Sequence, residues 1–165
     1  MAFLVGANGW VAPSEALPIR VTLSSDLLLV GRIEAAIGGI TTSQAVEVPA
    51  GGVKDYMIQA GSPGTRRQLR LQLISEVGGE ETVLQSEQVS LRVPADDLVV
   101  AVVDAEPYES AIRSAQPKPV DQELQLVRLG GNDVATINSA VSYLVMPTAA
   151  MADLDAETVD AVVAG

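Results

Sequence analysis

The 165-residue sequence contains no cysteine and no histidine. That absence excludes disulfides, thiolate zinc sites, thiol nucleophiles and every catalytic arrangement that uses imidazole as its base. Aromatic residues make up only 3% of the chain, the full set being Phe3, Trp10, Tyr56, Tyr108 and Tyr143. Stacking platforms for bases or sugars are therefore scarce, and the core has to be built from Val, Leu, Ile and Ala. Bases are few as well: ten Lys and Arg stand against 21 Asp and Glu, a net charge of -11. Such a chain repels phosphate backbones and anionic lipid surfaces, so nucleic acid and direct membrane contact are not expected. No apolar run approaches the roughly 20 residues that cross a bilayer as a helix.

What is present is 48% hydrophobic residues, enough for a packed core. The opening residues, Met1 to Val11, are apolar but lack a basic region and are interrupted by Asn8 and Gly9, so they read as a strand and not as an export signal. Composition shifts near Pro94. Residues 1–93 carry nine acids and seven bases, and residues 94–165 carry twelve and three. The apolar pattern changes at the same place, which sets the expected organisation: residues 1–93 as one domain, 94–97 as a linker and 98–165 as a second unit.

In the first unit, Leu17, Ile19, Val21 and Leu23 alternate with other residues, as a strand with one buried face requires. The same period appears in Leu69–Leu73 and in Val89–Val93. Weaker strand signals cover Leu29–Ile37, Gln44–Val48 and Val53–Ala60, separated by turn residues such as Gly38-Gly39 and Pro49–Gly52. Val77-Gly78-Gly79-Glu80 reads as a hairpin turn. About seven short strands at such spacing fit an all-β sandwich of immunoglobulin-like type.

The second unit opens on Leu98–Val103, a continuous apolar run suited to a strand covered on both faces. Pro107 then starts a helix through Tyr108, Ile112 and Ala115, which Gln116–Pro119 ends. Leu124–Leu129 and Val141–Met146 supply two further strands around a Gly130–Asp133 turn. Asp155 is placed to cap a last helix carrying Val159, Val162 and Val163. Three strands and two helices are few for a doubly wound sheet, so residues 98–165 read as a partial α/β domain, cut short at its C-terminus.

Gly9–Pro13 leading into Leu17–Leu23, then Leu98–Asp104, Tyr143–Pro147 and Leu154–Val159 give the sequence a family likeness. It resembles large bacterial envelope proteins, common in actinobacteria, in which an immunoglobulin-like sandwich precedes a domain like class I glutamine amidotransferases. The resemblance implies a flavodoxin-like or amidotransferase-like parallel sheet, an extracytoplasmic location, a membrane anchor outside these residues, and partners that are proteins. Amidotransfer itself needs a Cys nucleophile and a His, and this chain has neither.

Several clusters could carry chemistry. Asp104 and Glu106 follow the first strand of the expected parallel sheet, where such folds bind ligands and where two carboxylates can hold Mg²⁺; an acidic residue at a strand end is also an ordinary cap for the next helix, and they read as that. Asp96-Asp97 and Asp153–Asp155 offer oxygens for Ca²⁺ but lack the spacing of an EF-hand, and read as a linker and a cap. Arg66, Arg67 and Arg70 form the one basic cluster, readable as an anion contact or as a solvated loop and strand face. Trp10 reads as an anchor of the first sandwich edge, and Leu27–Val30 as core. No catalytic, cofactor or metal-binding role is assigned to any residue. The expectation is a structural or protein-interaction module that is not an enzyme; the alternative is a ligand- or metal-binding α/β domain, enzymatic in the full-length parent, with the sandwich as its accessory.

Overall fold

A computed structural model describes residues 1–77, 79–94, 98–104, 108–114, 123–137 and 139–149. Seven antiparallel strands come first: β1 (Ala2–Val5), β2 (Leu17–Ser25), β3 (Leu29–Ile37), β4 (Ile40–Val48), β5 (Gly52–Ala60), β6 (Gln68–Val77) and β7 (Glu80–Ser90). They form two sheets, ordered β1-β2-β5 and β4-β3-β6-β7. In immunoglobulin lettering these are A-B-E and C′-C-F-G, so the strand order is that of an immunoglobulin-like sandwich whose fourth strand joins the C-F-G sheet.

The period of two decides what lies between the sheets. Leu17, Ile19, Val21 and Leu23 of β2 meet Ile33, Ala35 and Ile37 of β3 and Leu69, Leu71 and Leu73 of β6 in one buried cluster. Each Val, Leu or Ile side chain among them contributes about 1.5–3 kcal/mol by leaving water. The β6–β7 ladder changes register between Leu73 and Ile74, where Leu84 is the extra residue on β7. A glycine at position 31 is required just there, because a Cβ would collide with the backbone carbonyl of Ile74.

Three details depart from the sequence reading. Val89–Val93 is not one strand: after Ser90 the chain leaves β6, and Arg92 pairs instead with the N-terminal loop, its N–H donating to the Gly9 carbonyl at 2.8 Å. Leu27, Leu28 and Val30 are exposed and only Leu29 of that run is core. The run spans the β2–β3 turn, and within β3 the odd-numbered residues face inward, so Val30 must face out. β4 begins four residues earlier than its apolar pattern suggests, at Ile40.

Among the described residues the second unit is a three-stranded parallel sheet of β8 (Leu98–Val103), β9 (Leu124–Leu129) and β10 (Tyr143–Val145), in the order β10-β8-β9. The continuous apolar run of β8 is explained by two covered faces. Val99, Ala101 and Val103 lie in one buried cluster and Val100 and Val102 in another, on opposite sides of the sheet. A short helix α1 (Glu109–Ser114) covers the second side through Ile112, and Arg128 of β9 fixes it by a two-pronged bond to Glu109, with Nη2 to Oε2 at 2.9 Å. The expected Gly130–Asp133 turn is a 3₁₀ helix, Gly131–Thr136. The expected helix around Asp155 lies outside the described residues.

Candidate functional site

The most elaborately built place in the molecule is the junction between sandwich and parallel sheet. On β2, the residues that alternate with the core positions point away from it: Pro18, Arg20 and Thr22 stand on the outer face of the β1-β2-β5 sheet. The parallel unit packs on that face. Leu4, Ala7, Trp10 and Ala12 from the N-terminal strand and loop share a buried cluster with Val99, Ala101 and Val103 of β8, Val127 and Leu129 of β9, and Val134 and Ala140. Trp10 is 7% exposed, and its expected place as a sandwich edge anchor is corrected: its ring fills the second cluster. The chain reaches that position through a tight loop, in which Gly6, Asn8 and Gly9 adopt positive φ and Ala7 and Trp10 exchange backbone hydrogen bonds at 3.1 Å. Arg92 lies over the Trp10 ring, 6.0 Å from its centre.

Polar groups close the rim of this apolar contact. Arg20 donates from Nη1 to Asp133 Oδ1 at 2.6 Å and from Nη2 to Asp55 Oδ2 at 2.9 Å. Thr22 donates to the other Asp55 oxygen at 2.6 Å, and Asp133 Oδ2 accepts the Gly130 N–H at 3.1 Å. One guanidinium therefore bridges a carboxylate of its own sheet to a carboxylate of the other unit. Partial burial opposes the Arg20 charge, but the bonds to Asp55 and the nearby charges of Asp55 and Asp133 outweigh it and raise its pKa. The Thr22 hydroxyl first, and Arg20 second, hold the Asp55 carboxyl below its ordinary range. A further tie is the Ser139 N–H, which donates to Glu15 at 3.3 Å.

The residues singled out in the sequence are placed as follows. Asp104 ends β8 at a φ of 46°, and its Oδ2 accepts the Gly131 N–H at 3.0 Å, so the carboxylate holds the start of the 3₁₀ helix against the end of β8. Glu106, Asp96, Asp97 and Asp153–Asp155 lie outside the described residues. Among those described, no group of three or more acidic side chains is arranged to hold a metal. Arg66 lies in an exposed loop beside the Gly38 turn, while Arg70 stands on the outward face of β6 opposite Gln88. An open groove of about 470 Å³ at the seam between β4 and β5 is lined by Val30, Val46, Glu47, Lys54, Tyr56 and Glu76. Sequence reasoning passed over Arg20, Asp55 and Asp133. None of the three carried a signal of its own: Arg20 alternates with core residues like any outward residue of β2, and Asp133 sits in what reads as a turn.

The fold is thus mainly antiparallel β, an immunoglobulin-like sandwich with a small parallel sheet docked on one face. No family profile and no curated protein matches the chain. Among solved structures it is similar to a bacterial immunoglobulin-like domain from the M. primoryensis ice-binding adhesin, with 13% identity, a TM-score of 0.40, and coverage of 56% of this chain and 96% of that one.

Proposed function

We propose that the chain is a non-catalytic structural module of a larger extracytoplasmic, membrane-associated bacterial protein, in which the sandwich and the α/β segment form one rigid body that spaces or docks protein partners. The observation that carries this reading is the junction. A sandwich that bound ligands on its outer A-B-E face would keep that face open, whereas here it is covered by the Trp10 cluster and locked by the Arg20 bridge. The proposed division, 1–93 and 98–165 about a 94–97 linker, follows the two buried clusters apart from the N-terminal loop, which belongs to both units. The extracytoplasmic placement rests on the family resemblance. Protease shaving of intact cells producing the parent protein tests it: release of fragments containing this chain supports the placement, and complete protection contradicts it.

A second reading is favoured by one observation. The order β10-β8-β9 is the 2-1-3 order that opens a flavodoxin-like sheet, as the amidotransferase-like resemblance implies. In that topology ligands bind past the C-terminal ends of the first and third strands, which are here Val103-Asp104 and Val145-Met146. On this reading the α/β segment binds a ligand or a metal through Asp104, and the sandwich is its accessory. A rise in melting temperature with Mg²⁺ or Ca²⁺ that disappears in Asp104→Asn would put this reading first.

A further inference from the structure

We infer that the groove beside Val30 docks a basic segment of a partner protein, one in which aliphatic side chains are flanked by lysine or arginine, an assignment that rests on the protein-docking reading above. β2 and β3 are joined by only Asp26, Leu27 and Leu28. The Ser25 hydroxyl donates to the Leu27 carbonyl at 2.7 Å, and the Gly51 N–H donates to the Ser25 carbonyl at 2.8 Å. A turn so pinned holds its two leucines in water, where Leu27 is 77% and Leu28 63% exposed. Val30, exposed on the outward side of β3, continues this apolar line into the groove. The described part of the parallel unit packs on the other sheet and leaves this face open. Contiguous exposed aliphatic side chains with a polar rim are the mark of a protein contact.

Charge complementarity identifies the occupant. Val30 lies opposite Glu47 of β4, and the register that pairs Gly31 with Ser75 sets Glu76 of β6 on its other side. Two glutamates therefore flank an aliphatic floor at about 10 Å, twice the spacing of neighbouring strands. Neither carboxylate has a partner among the described residues. Arg32, the next outward residue of β3, is taken by Glu34 and Glu81. Lys54, which also lines the groove, lies 5.5 Å from the centre of the Tyr56 ring and donates to the Glu47 backbone carbonyl at 3.4 Å. Asp26 and Glu80 stand at the same end of the sandwich, and the chain as a whole carries -11. This field draws a cationic segment and repels anionic lipid, an acidic partner and a second copy of the chain alike.

Titration of an end-blocked Lys-Leu-Val-Lys peptide into the isotope-labelled whole chain, followed by amide NMR and repeated with Lys-Ser-Ser-Lys, tests this. The expected result is shifts confined to the surroundings of Leu28, Val30, Glu47 and Glu76, an affinity at least ~tenfold higher for the aliphatic peptide, and weakening as salt rises. Val30→Ser removes the aliphatic floor, and Glu47→Gln with Glu76→Gln removes the flanking charges. Each lowers the affinity at least ~tenfold with circular dichroism unchanged, since all three side chains are exposed. Equal binding of the two peptides would overturn the proposal in favour of general attraction to an acidic chain, and so would binding that neither set of substitutions moves. No shift with either peptide would overturn it as well, whereas the docking reading itself fails on a separate result, the Mg²⁺- or Ca²⁺-dependent melting that Asp104→Asn abolishes.

Discussion

Replacing Arg20 with methionine keeps most of the aliphatic stem in place and removes a guanidinium that bonds a carboxylate in each unit. The bridge to Asp133 joins side chains 21% and 26% exposed, and the arm to Asp55 joins one that is 50% exposed. A fully buried hydrogen bond to a charged group is worth about 1.5–3 kcal/mol, and the residual solvent at this site reduces the Asp133 arm to about 1 kcal/mol. The Asp55 arm, half in water, adds about 0.5 kcal/mol. The expected loss is about 1.5 kcal/mol, a fall of about 5 °C in melting temperature for a chain of this size. Arg20→Lys, whose single ammonium cannot serve both carboxylates, falls between the two. A double-mutant cycle of Arg20→Met with Asp133→Asn, read by urea denaturation, should return a coupling of about 1 kcal/mol. Additivity within ~0.3 kcal/mol would refute the claim that this bond ties the units together.

Trp10→Ala should cost about 3–5 kcal/mol by leaving a cavity in the shared cluster, and Trp10→Phe less; chemical denaturation measures both. As the sole tryptophan, Trp10 should also emit at short wavelength in the folded protein and shift to the red as the junction opens. Gly31→Ala drives a methyl into the Ile74 carbonyl across the β3–β6 ladder, and a loss of about 3 kcal/mol or more is expected, with an unchanged melting temperature contradicting the close approach. The Asp55 carboxyl has a folded pKa below its ordinary value of 3.8, so its contribution is complete above that pH and is lost as pH falls through the lower folded value. Acid melting curves should therefore drop below pH 3.8, and Asp55→Asn should remove part of that slope.

Strands with one face in a large core announced themselves, because alternation is enforced wherever Leu17–Leu23 or Leu69–Leu73 line the space between two sheets. β8 was legible at its ends as well, since a strand covered on both faces has to stop where the apolar run stops. β4 was read only from Gln44 because an edge strand with its outer face in water needs no apolar period through Thr41, Thr42 and Ser43. The apparent strand at Val89–Val93 hid a change of partner, from β6 to the N-terminal loop, that periodicity cannot express. The junction was the least visible part. Arg20 looks like any outward strand residue, and its partner Asp133 sits 113 positions away in what reads as an ordinary turn.

The measurement that bears most directly on the account is calorimetric unfolding of the whole chain, followed in parallel by Trp10 fluorescence and far-ultraviolet circular dichroism. If the sandwich and the parallel sheet are one body, all three signals change in a single transition and the calorimetric enthalpy equals the van't Hoff enthalpy. Two transitions, with the Trp10 signal leaving before the bulk of the β signal, would contradict the shared core and reduce the junction to a loose contact between independent domains.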